Sequence, residues 1–469
     1  MLADRALTRM AGAPLIAGNR VRLLRDAAEN YPAWMEAIRN ATQSVDFETY
    51  VVHADEIGEQ FADLLAAKAR EGVVVRVIYD WLGALGAASF LFWRRMRKAG
   101  VQVRCFHPPR LDDPFAWFQR DHRKIIIVDG ETGFVSGLCV GKAWTGDPQR
   151  GIAPWRDSGI QIEGPAVVDL SRAFARVWNS LGKGNPLPSD FQKPRHIPPA
   201  GDVALRIVAG DPGTGGLYRL DLLFTAMARR SIWLTDAYFY ATPVYVQSLR
   251  AAARDGIDVR LLVPRTSDIP VVRALSRVGY RSLLEAGVRI FEWNGTMLHA
   301  KTAVADERWS RVGSTNLNIA SWMGNYELDA VIENEDFARS MREAYLDDLD
   351  HATEIVLREG TRVAPNQRRR KQERRRPTRT SVGRAATGVA AIANTAGAAL
   401  TRSRLLGPAE APVMIAAACV LVALGLLMIF FPRVAAAAAG LGCGWLALVL
   451  LLRAWRLWRA GSEDRPKDL

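Results

Sequence analysis

The sequence predicts an α/β protein made of two similar lobes, followed by a C-terminal pair of membrane helices. Three observations carry this prediction: a short motif occurs twice, the order of strand-like and helix-like segments repeats around each copy, and two uncharged apolar stretches lie near the C-terminus. Repeated strand and helix segments favour layers of helices packed on a sheet. We therefore expect two lobes related by a pseudo-twofold axis, with mixed, mostly parallel sheets flanked by helices.

The first lobe is expected to span residues 18–183 and to contain the first motif copy. His122, Lys124 and Asp129 form the pattern H-x-K-x4-D around the apolar, β-branched run 125–128, which favours a buried strand. On a strand, residues two apart face the same side, so the side chains of His122 and Lys124 project together. Asp129 completes the motif but lies at an odd offset, so we expect it to support the end of the strand.

The second lobe, expected over residues 203–355, repeats this organisation. Its motif copy consists of His299, Lys301 and Asp306. Corresponding segments are 44–50 with 231–237 and 69–76 with 253–260. A turn of small residues follows each copy at the same distance, at Ser136-Gly137 and at Gly313-Ser314. Among only six histidines, this equal spacing favours a two-part active site over unrelated surface histidines.

Composition predicts two linkers. Residues 184–202 contain five prolines, which interrupt helices and central strands. Residues 360–410 contain twelve basic and two acidic residues, a net charge of +10 out of +13 for the whole chain. Such a run is expected to be disordered and, beside a membrane segment, to be attracted to anionic lipid headgroups. The lobes themselves are near neutral, which argues against a broad nucleic-acid-binding surface.

A transmembrane helical hairpin is predicted over residues 413–452. The stretches 413–431 and 434–452 each contain nineteen residues without a charge, enough to cross a hydrocarbon core of about 30 Å. Basic residues flank the pair on both sides, so we expect both termini and the two lobes on the cytoplasmic side of the membrane.

Two lobes placed face to face would bring together two imidazoles and two ammonium groups. This set suits substitution at a phosphodiester, with one imidazole as nucleophile, the other as general acid and then base, and the lysines on the phosphoryl oxygens. The chemistry requires neither a metal nor a cofactor, and the four cysteines show no metal-ligand spacing.

These residues resemble the phospholipase D superfamily, whose signature is the duplicated H-x-K-x4-D, and within it the bacterial cardiolipin synthases, particularly their shorter B-type branch. The likeness covers about residues 18–355 and extends to the segments 47–50, 155–157, 236–239 and 312–318. It implies transfer of a phosphatidyl group from phosphatidylglycerol, or from another phospholipid such as phosphatidylethanolamine, through a phosphohistidine. The acceptor would be a second phosphatidylglycerol and the product cardiolipin, at the bacterial inner membrane.

The resemblance implies roles for the four motif side chains. His122 is the choice for the nucleophile, and His299 for the acid that protonates the leaving alcohol and then deprotonates the acceptor. Lys124 and Lys301 would hold the phosphoryl oxygens as point charges.

The resemblance also implies supporting residues. Asn316, two residues after Ser314, resembles the family's phosphate-contacting asparagine. Glu327 resembles the carboxylate that accepts the Nδ1 proton of the histidine in its own lobe, and by the repeat Asp157 is expected to serve the other histidine. The first lobe departs from the pattern, because Cys139 stands opposite Asn316. Symmetric phosphate contacts are therefore not expected.

Other functions remain open at this point. Hydrolysis by a phospholipase D or a nuclease differs from transfer only in whether water or an alcohol reaches the phosphohistidine. A nuclease fits less well, because the basic charge lies in the tail and the chain ends in apolar stretches. A non-catalytic membrane tether fits less well still, because both histidines and both lysines are retained. The sequence leaves the oligomeric state undetermined.

Overall fold

The computed structural model describes residues 2–109, 119–182, 186–187, 196–358 and 362–365, and eight residues between 440 and 451. The chain divides into two units, residues 1–106 with 119–388 and residues 107–118 with 389–469. The first unit contains both motif copies.

The predicted membrane hairpin lies largely outside the described residues. This holds for all of 413–431, whereas the described residues within 434–452 are helical. No helix in the described part of the chain combines the length and the apolar composition needed to cross a membrane.

The first lobe follows the predicted alternation of strands and helices. Its elements are β1 (Ile16–Arg25), α2 (Asp26–Asn40), β2 (Ser44–Thr49), α3 (Glu56–Arg70), β3 (Val74–Asp80), α4 (Trp81–Ala84), α5 (Phe90–Lys98), β4 (Gln102–Phe106), β5 (Ile125–Val128), β6 (Thr132–Ser136), α6 (Lys142–Thr145), β7 (Ser158–Glu163) and α7 (Val167–Ser180), with α1 (Leu2–Ala11) before them. The side chains of Asp55 and Ser89 accept the first free N–H groups of α3 and α5, which fixes where these helices begin.

The second lobe repeats this order. Its elements are β8 (Val203–Gly210), α8 (Gly216–Met227), β9 (Ser231–Thr235), α9 (Pro243–Arg254), β10 (Asp258–Pro264), α10 (Pro270–Leu284), β11 (Arg289–Trp293), β12 (Thr302–Ala305), β13 (Trp309–Gly313), a π-helix (Ala320–Gly324), β14 (Glu327–Glu333) and α11 (Glu335–Asp350), followed by β15 (Ala352–Arg358) and β16 (Arg362–Pro365). β16 lies inside the segment 360–410 that was predicted to be disordered, and the rest of that segment lies outside the described residues.

The strands of the described residues form one continuous sheet that passes through both lobes. Their order is β16-β15-β11-β10-β9-β12-β13-β14-β8-β1-β7-β6-β5-β2-β3-β4. β1 pairs with β8 at the centre, so the two lobes mirror each other around this pair. Because they share one sheet and one compact unit, the boundaries 18–183, 184–202 and 203–355 remain predictions.

The expectation of mostly parallel sheets is wrong. Only β2, β3 and β4, and likewise β9, β10 and β11, pair in parallel, across helical crossovers. Every other pairing of the described strands is antiparallel. The physical reason is that the motif strand returns through a tight hairpin, which can only join antiparallel strands.

The motif aspartates build these hairpins. Asp129, between β5 and β6, has a positive φ of 54°, and Asp306, between β12 and β13, has 53°, as type I′ hairpin turns require. The carboxylate of Asp129 accepts the backbone N–H groups of residues 42–44 at 2.7–2.9 Å, and that of Asp306 accepts those of residues 229–231 at 2.8–3.0 Å. Both aspartates therefore lie at the far end of the motif strand, about 20 Å along the chain from the histidines.

We expect Asp129→Asn to lower stability while leaving the active site intact. An amide retains only one acceptor and would present its NH₂ to backbone donors, at a cost of about 1 kcal/mol for this partly exposed side chain. Burial opposes ionisation of Asp129, but the backbone N–H groups prevail and hold its pKa below the ordinary value. The stabilisation is thus present at neutral pH and is lost only as the pH falls below about 4.

Thermal unfolding followed by tryptophan fluorescence would test this role, with the exposed Asp336→Asn as the matched control. A variant with wild-type melting temperature but little turnover would contradict it.

Candidate active site

The histidines and lysines of both motifs lie immediately before the motif strands β5 and β12. The His122 side chain is 12 % exposed and that of His299 is 6 % exposed. Lys124 and Lys301 are buried. Few polar side chains are buried to this extent without a partner, so their contacts decide what the site can do.

Each imidazole pairs with a carboxylate, and the pairs cross between the lobes. Nδ1 of His122 lies 3.1 and 3.0 Å from the two carboxylate oxygens of Glu327. Nδ1 of His299 lies 2.8 Å from Oδ2 of Asp157. The pairing expected from the repeat, Glu327 with His299 and Asp157 with His122, is wrong. Each histidine is oriented by a carboxylate of the opposite lobe.

Backbone pairing between the lobes explains the crossing. The N–H of His122 donates to the carbonyl of Tyr326 at 2.9 Å, next to Glu327. In the same way the N–H of His299 donates to the carbonyl of Arg156 at 2.7 Å, next to Asp157. Each segment that leads into a carboxylate therefore runs beside the histidine of the other lobe, which gives the active site its pseudo-twofold symmetry.

Further hydrogen bonds hold the carboxylates in place. Ser314 donates to Glu327 at 2.5 Å, and Asn325 donates to its other oxygen at 3.2 Å. The indole N–H of Trp144 donates to Asp157 at 3.0 Å. A Cβ at Gly137 would lie 2.2 Å from Oδ1 of Asp157, so only glycine in the small-residue turn admits this carboxylate.

The four motif groups share one cleft. Lys301 is among the charges that lower the pKa of His122, and Lys124 is among those that lower the pKa of His299, so each lysine acts on the histidine of the other lobe. A tyrosine ring lies beside each histidine. The Tyr50 ring lies edge-on to His122 at 5.2 Å, and the Tyr238 ring lies edge-on to His299 at 5.9 Å.

The two lysines are held alike. The ammonium groups of Lys124 and Lys301 donate to the backbone carbonyl of the histidine in their own motif. They also lie 5.5 and 5.8 Å from the ring centres of Tyr50 and Tyr238, respectively. These contacts hold each cation beside the tyrosine ring that lies edge-on to the histidine of its own motif.

Burial sets the protonation of the imidazoles. It lowers the pKa of His122, against the opposing charge of Glu327. Burial together with the charge of Lys301 lowers the pKa of His299 to about 3, and burial lowers the pKa of Lys301 to about 8. Without a bound anion both rings are therefore neutral near pH 7. Nδ1–H then donates to the carboxylate, and Nε2 carries the lone pair that a nucleophile needs.

The carboxylates stay ionised beside these neutral rings. Burial alone would raise the pKa of Glu327 and of Asp157, but the paired histidine and the nearby lysine hold each pKa below its ordinary value. A negative carboxylate on Nδ1 stabilises the positive charge that the imidazole gains when Nε2 bonds to phosphorus or takes a proton.

The asparagine predicted to contact phosphate is buried beside this cluster. Asn316 is 4 % exposed, and its Oδ1 has no hydrogen-bond partner within the described residues. The loop around it is held by Asp236, which accepts the N–H of Leu317 at 2.8 Å. Cys139 is buried in the first lobe and contributes to the electrostatic environment of Lys301. The two lobes thus offer different groups at this position.

Two buried arginines were not assigned a role from the sequence. Arg123 donates through Nε to the carbonyl of Glu327 at 3.2 Å. Arg156 donates through Nε to Asp348 at 2.8 Å and through Nη1 to the carbonyl of Asp157. Each arginine therefore fixes the backbone of one catalytic carboxylate. Of the two, only Arg156 could have been inferred from the sequence, because it directly precedes Asp157.

No cluster of three or more His, Cys, Asp or Glu side chains able to hold a metal ion occurs in the described ranges.

Comparison with known proteins gives consistent matches across both lobes. The family described as "Cardiolipin synthase, PLD-like domain" matches residues 34–145 and 224–349, which include both motif copies. The chain is 34% identical to cardiolipin synthase A of Pseudomonas fluorescens (strain SBW25) over 368 residues, 76% of this chain and 74% of the relative. It is 33% identical to cardiolipin synthase of Halalkalibacterium halodurans over 359 residues, 74% of this chain and 69% of the relative.

A solved structure shares the fold. The crystal structure of phosphatidylserine synthase from Haemophilus influenzae Rd KW20 superposes with a TM-score of 0.59 over 75% of this chain and 91% of that chain, at 15% sequence identity. At this level of identity the similarity extends to the fold alone.

Proposed function

The chain belongs to the cardiolipin synthase family with phospholipase D-like domains and is a phosphatidyltransferase of that type, and we propose that it transfers a phosphatidyl group between phospholipids through a phosphohistidine. The crossed pairs His122–Glu327 and His299–Asp157, with two buried lysines in one cleft, carry the proposal. A single imidazole could attack phosphorus, but only a second one on the opposite side can protonate the leaving oxygen.

His122 is proposed as the nucleophile, since its ring is the more exposed of the two. Its Nε2 attacks the phosphorus of phosphatidylglycerol, and the bond from phosphorus to the glycerol headgroup breaks. His299 gives the leaving alkoxide a proton and free glycerol departs. The hydroxyl of a second phosphatidylglycerol then gives its proton to His299 and attacks phosphorus, the P–N bond breaks, and cardiolipin leaves.

Lys124, Lys301 and Asn316 are proposed to bind the non-bridging phosphoryl oxygens during both steps. Negative charge on these oxygens grows as the nucleophile approaches, so cations aimed at them stabilise the transition state. Asp129 and Asp306 take no part in this chemistry and stabilise the motif hairpins instead.

Substrate binding is expected to bring a proton with it. The negative charge of a bound phosphodiester opposes the effect of burial and raises the pKa of His299 from about 3, so the acid form appears only in the complex. Calorimetry with deacylated phosphatidylglycerol at pH 7, in buffers of different ionisation enthalpy, should reveal net proton uptake. The uptake should be absent in His299→Ala. Binding heats that do not vary with the buffer would contradict this role.

Reconstitution tests the reaction itself. The full chain in vesicles of phosphatidylglycerol should yield cardiolipin and glycerol in equal amounts, as measured by mass spectrometry. Vesicles that also contain phosphatidylethanolamine test it as a second donor, through release of ethanolamine. Phosphatidic acid as the sole product would instead indicate hydrolysis, and cleavage of DNA without lipid turnover would indicate a nuclease.

The membrane topology is part of the proposal. The stretches 413–431 and 434–452 would form a transmembrane hairpin in the bacterial inner membrane, with residues 360–410 beside anionic headgroups and the lobes in the cytoplasm. Protease added to intact spheroplasts should then leave the lobes uncut, whereas the same protease should cut them in inverted vesicles. Cleavage of the lobes in intact spheroplasts would refute this orientation.

A further inference from the structure

Five of the large apolar side chains exposed in the described part of the compact unit lie in segments that adjoin the catalytic site. They are Phe90, Leu91, Val244, Ile319 and Met323, here called the rim, with exposed fractions of 72, 68, 60, 36 and 38 %. Outside the rim, this unit exposes Met10 and Val74 to a comparable degree. Scattered apolar residues are ordinary on a surface, but a shared location calls for a common partner.

Topology places the rim at the mouth of the catalytic cleft. His122 and His299 precede strands that run antiparallel to β2 and β9, so the cleft lies at the carboxyl ends of β2 and β9. α5 follows β3, which is parallel to β2, and α9 follows β9 itself. Both helices therefore begin on the side of the carboxyl ends of these strands. Phe90 and Leu91 occupy the first turn of α5, and Val244 occupies the first turn of α9.

In each lobe, a contact ties a segment next to the rim to a tyrosine of the site. In the first lobe, Gly83, between β3 and α5, lies so close to Tyr50 that an added Cβ would come within 2.3 Å of the Tyr50 carbonyl oxygen. In the second lobe, Asn318 donates to the carbonyl of Tyr238 at 3.0 Å, and the π-helix Ala320–Gly324 with Met323 follows directly. Both lobes therefore contribute apolar groups beside the tyrosines that line the cleft.

Positive charge lies behind the apolar tip of α5. Arg94, Arg97 and Lys98 are exposed, and Arg94 follows Leu91 by about one helical turn, or about 5 Å. This spacing matches the depth between the acyl boundary of a bilayer and its phosphate layer. A soluble protein partner would not require cations at this fixed distance from the apolar residues, whereas an anionic bilayer does.

We propose that the rim inserts into the surface of an anionic phospholipid bilayer and so places the mouth of the cleft at the level of the lipid phosphates. The inference rests on the proposed function for the lipid nature of the substrate. It adds that the lobes contact the bilayer themselves, through residues of both lobes, independently of the predicted C-terminal hairpin.

Photocrosslinking tests the contact without relying on turnover. The full chain is reconstituted in vesicles that contain phosphatidylglycerol with a diazirine near its headgroup, and crosslinked peptides are identified by mass spectrometry. Crosslinks are expected on the peptides that contain Phe90 and Leu91, Val244, and Met323. The peptide that contains Val74, at the opposite end of β3, serves as the internal control. Equal labelling of the Val74 peptide, or no labelling of the rim, would overturn the proposal.

Paired substitutions test the consequence for activity. Phe90→Glu with Leu91→Glu keeps α5 intact, because acidic residues in the first turn favour a helix. We expect turnover on vesicles to fall about tenfold or more, the factor for losing the burial of one such side chain. Turnover of monomeric, short-chain phosphatidylglycerol should be unchanged, and so should turnover on vesicles by Val74→Glu.

The two measurements separate failure of this inference from failure of the proposed function. Rim crosslinks in a protein without transferase activity would support the contact and refute the function. Full activity of the double variant on vesicles would refute the rim even if cardiolipin is made. A drop that is equal for vesicles and for monomeric lipid would also refute it, because the substitutions would then act on the cleft rather than on the membrane contact.

Discussion

Replacing either motif histidine with alanine is expected to lower phosphatidyl transfer by about 10⁴-fold or more, because the reaction needs both a nucleophile and an acid. The two losses should differ in kind. His122→Ala removes the nucleophile, so no phosphatidyl group becomes attached to the protein. His299→Ala removes the base that activates the acceptor, so a slowly formed phosphohistidine should accumulate.

Intact-protein mass spectrometry after a brief incubation with phosphatidylglycerol would distinguish these outcomes. The exposed His196 offers a matched control, and His196→Ala should retain full activity. Accumulation of the adduct in His122→Ala, with none in His299→Ala, would reverse the assignment of the two histidines. An adduct in neither variant or in both, with activity retained, would refute the phosphohistidine mechanism.

Removing the charge from either carboxylate should cost about 10³- to 10⁴-fold, because the imidazole then loses its tautomer and its compensating charge. The crossed geometry also predicts which of the two chemical steps each variant loses. Glu327→Gln should behave like His122→Ala and fail to form the phosphohistidine. Asp157→Asn should behave like His299→Ala and accumulate it.

These two variants serve as controls for each other, since both replace a fully buried carboxylate with its amide isostere. A merely structural role would lower both steps equally in both variants. If Asp157→Asn prevented adduct formation and Glu327→Gln allowed it, each carboxylate would serve the histidine of its own lobe, contrary to the distances of 3.0 and 2.8 Å across the lobes.

The proposed membrane contact would also favour phospholipid headgroups over water as the molecules that enter the cleft. A cleft whose mouth lies at the phosphate layer meets phospholipid headgroups at high local concentration, and it meets water less often than an exposed cleft would. Exclusion of water favours an alcohol acceptor over hydrolysis. The rim therefore offers a physical reason for transfer, since the proposed phosphohistidine could otherwise react with water.

Much of the fold was predictable because it depends on local patterns. The β-branched run 125–128 indicated a buried strand, and the alternation of apolar segments around each motif indicated strands and helices in the observed order. The direction of pairing was not predictable in the same way. Asp129 was recognised as lying at a strand end, but its positive φ, and hence the hairpin that makes the pairing antiparallel, depends on contacts with residues 42–44.

The candidate site shows the same division. Motif spacing indicated His122 and His299 as candidates, although they and their lysines lie just before the motif strands and not on them. The supporting roles of the two buried arginines were not predicted. Arg123 occupies a motif position where the other lobe has alanine, and its contacts reach the carbonyl of Glu327, 204 residues away.

Strand periodicity and motif spacing are encoded within a few neighbouring residues, so the amino-acid sequence was enough to predict the duplicated α/β architecture, the candidate reacting groups and the family. The partner of each histidine could be assigned only from the folded chain. The partners lie 205 and 142 residues apart, and they meet because the segment before each carboxylate pairs with the histidine segment of the other lobe. Pairing between distant segments sets that geometry. A repeat in the sequence cannot show whether a carboxylate contacts the histidine of its own lobe or the histidine of the other lobe.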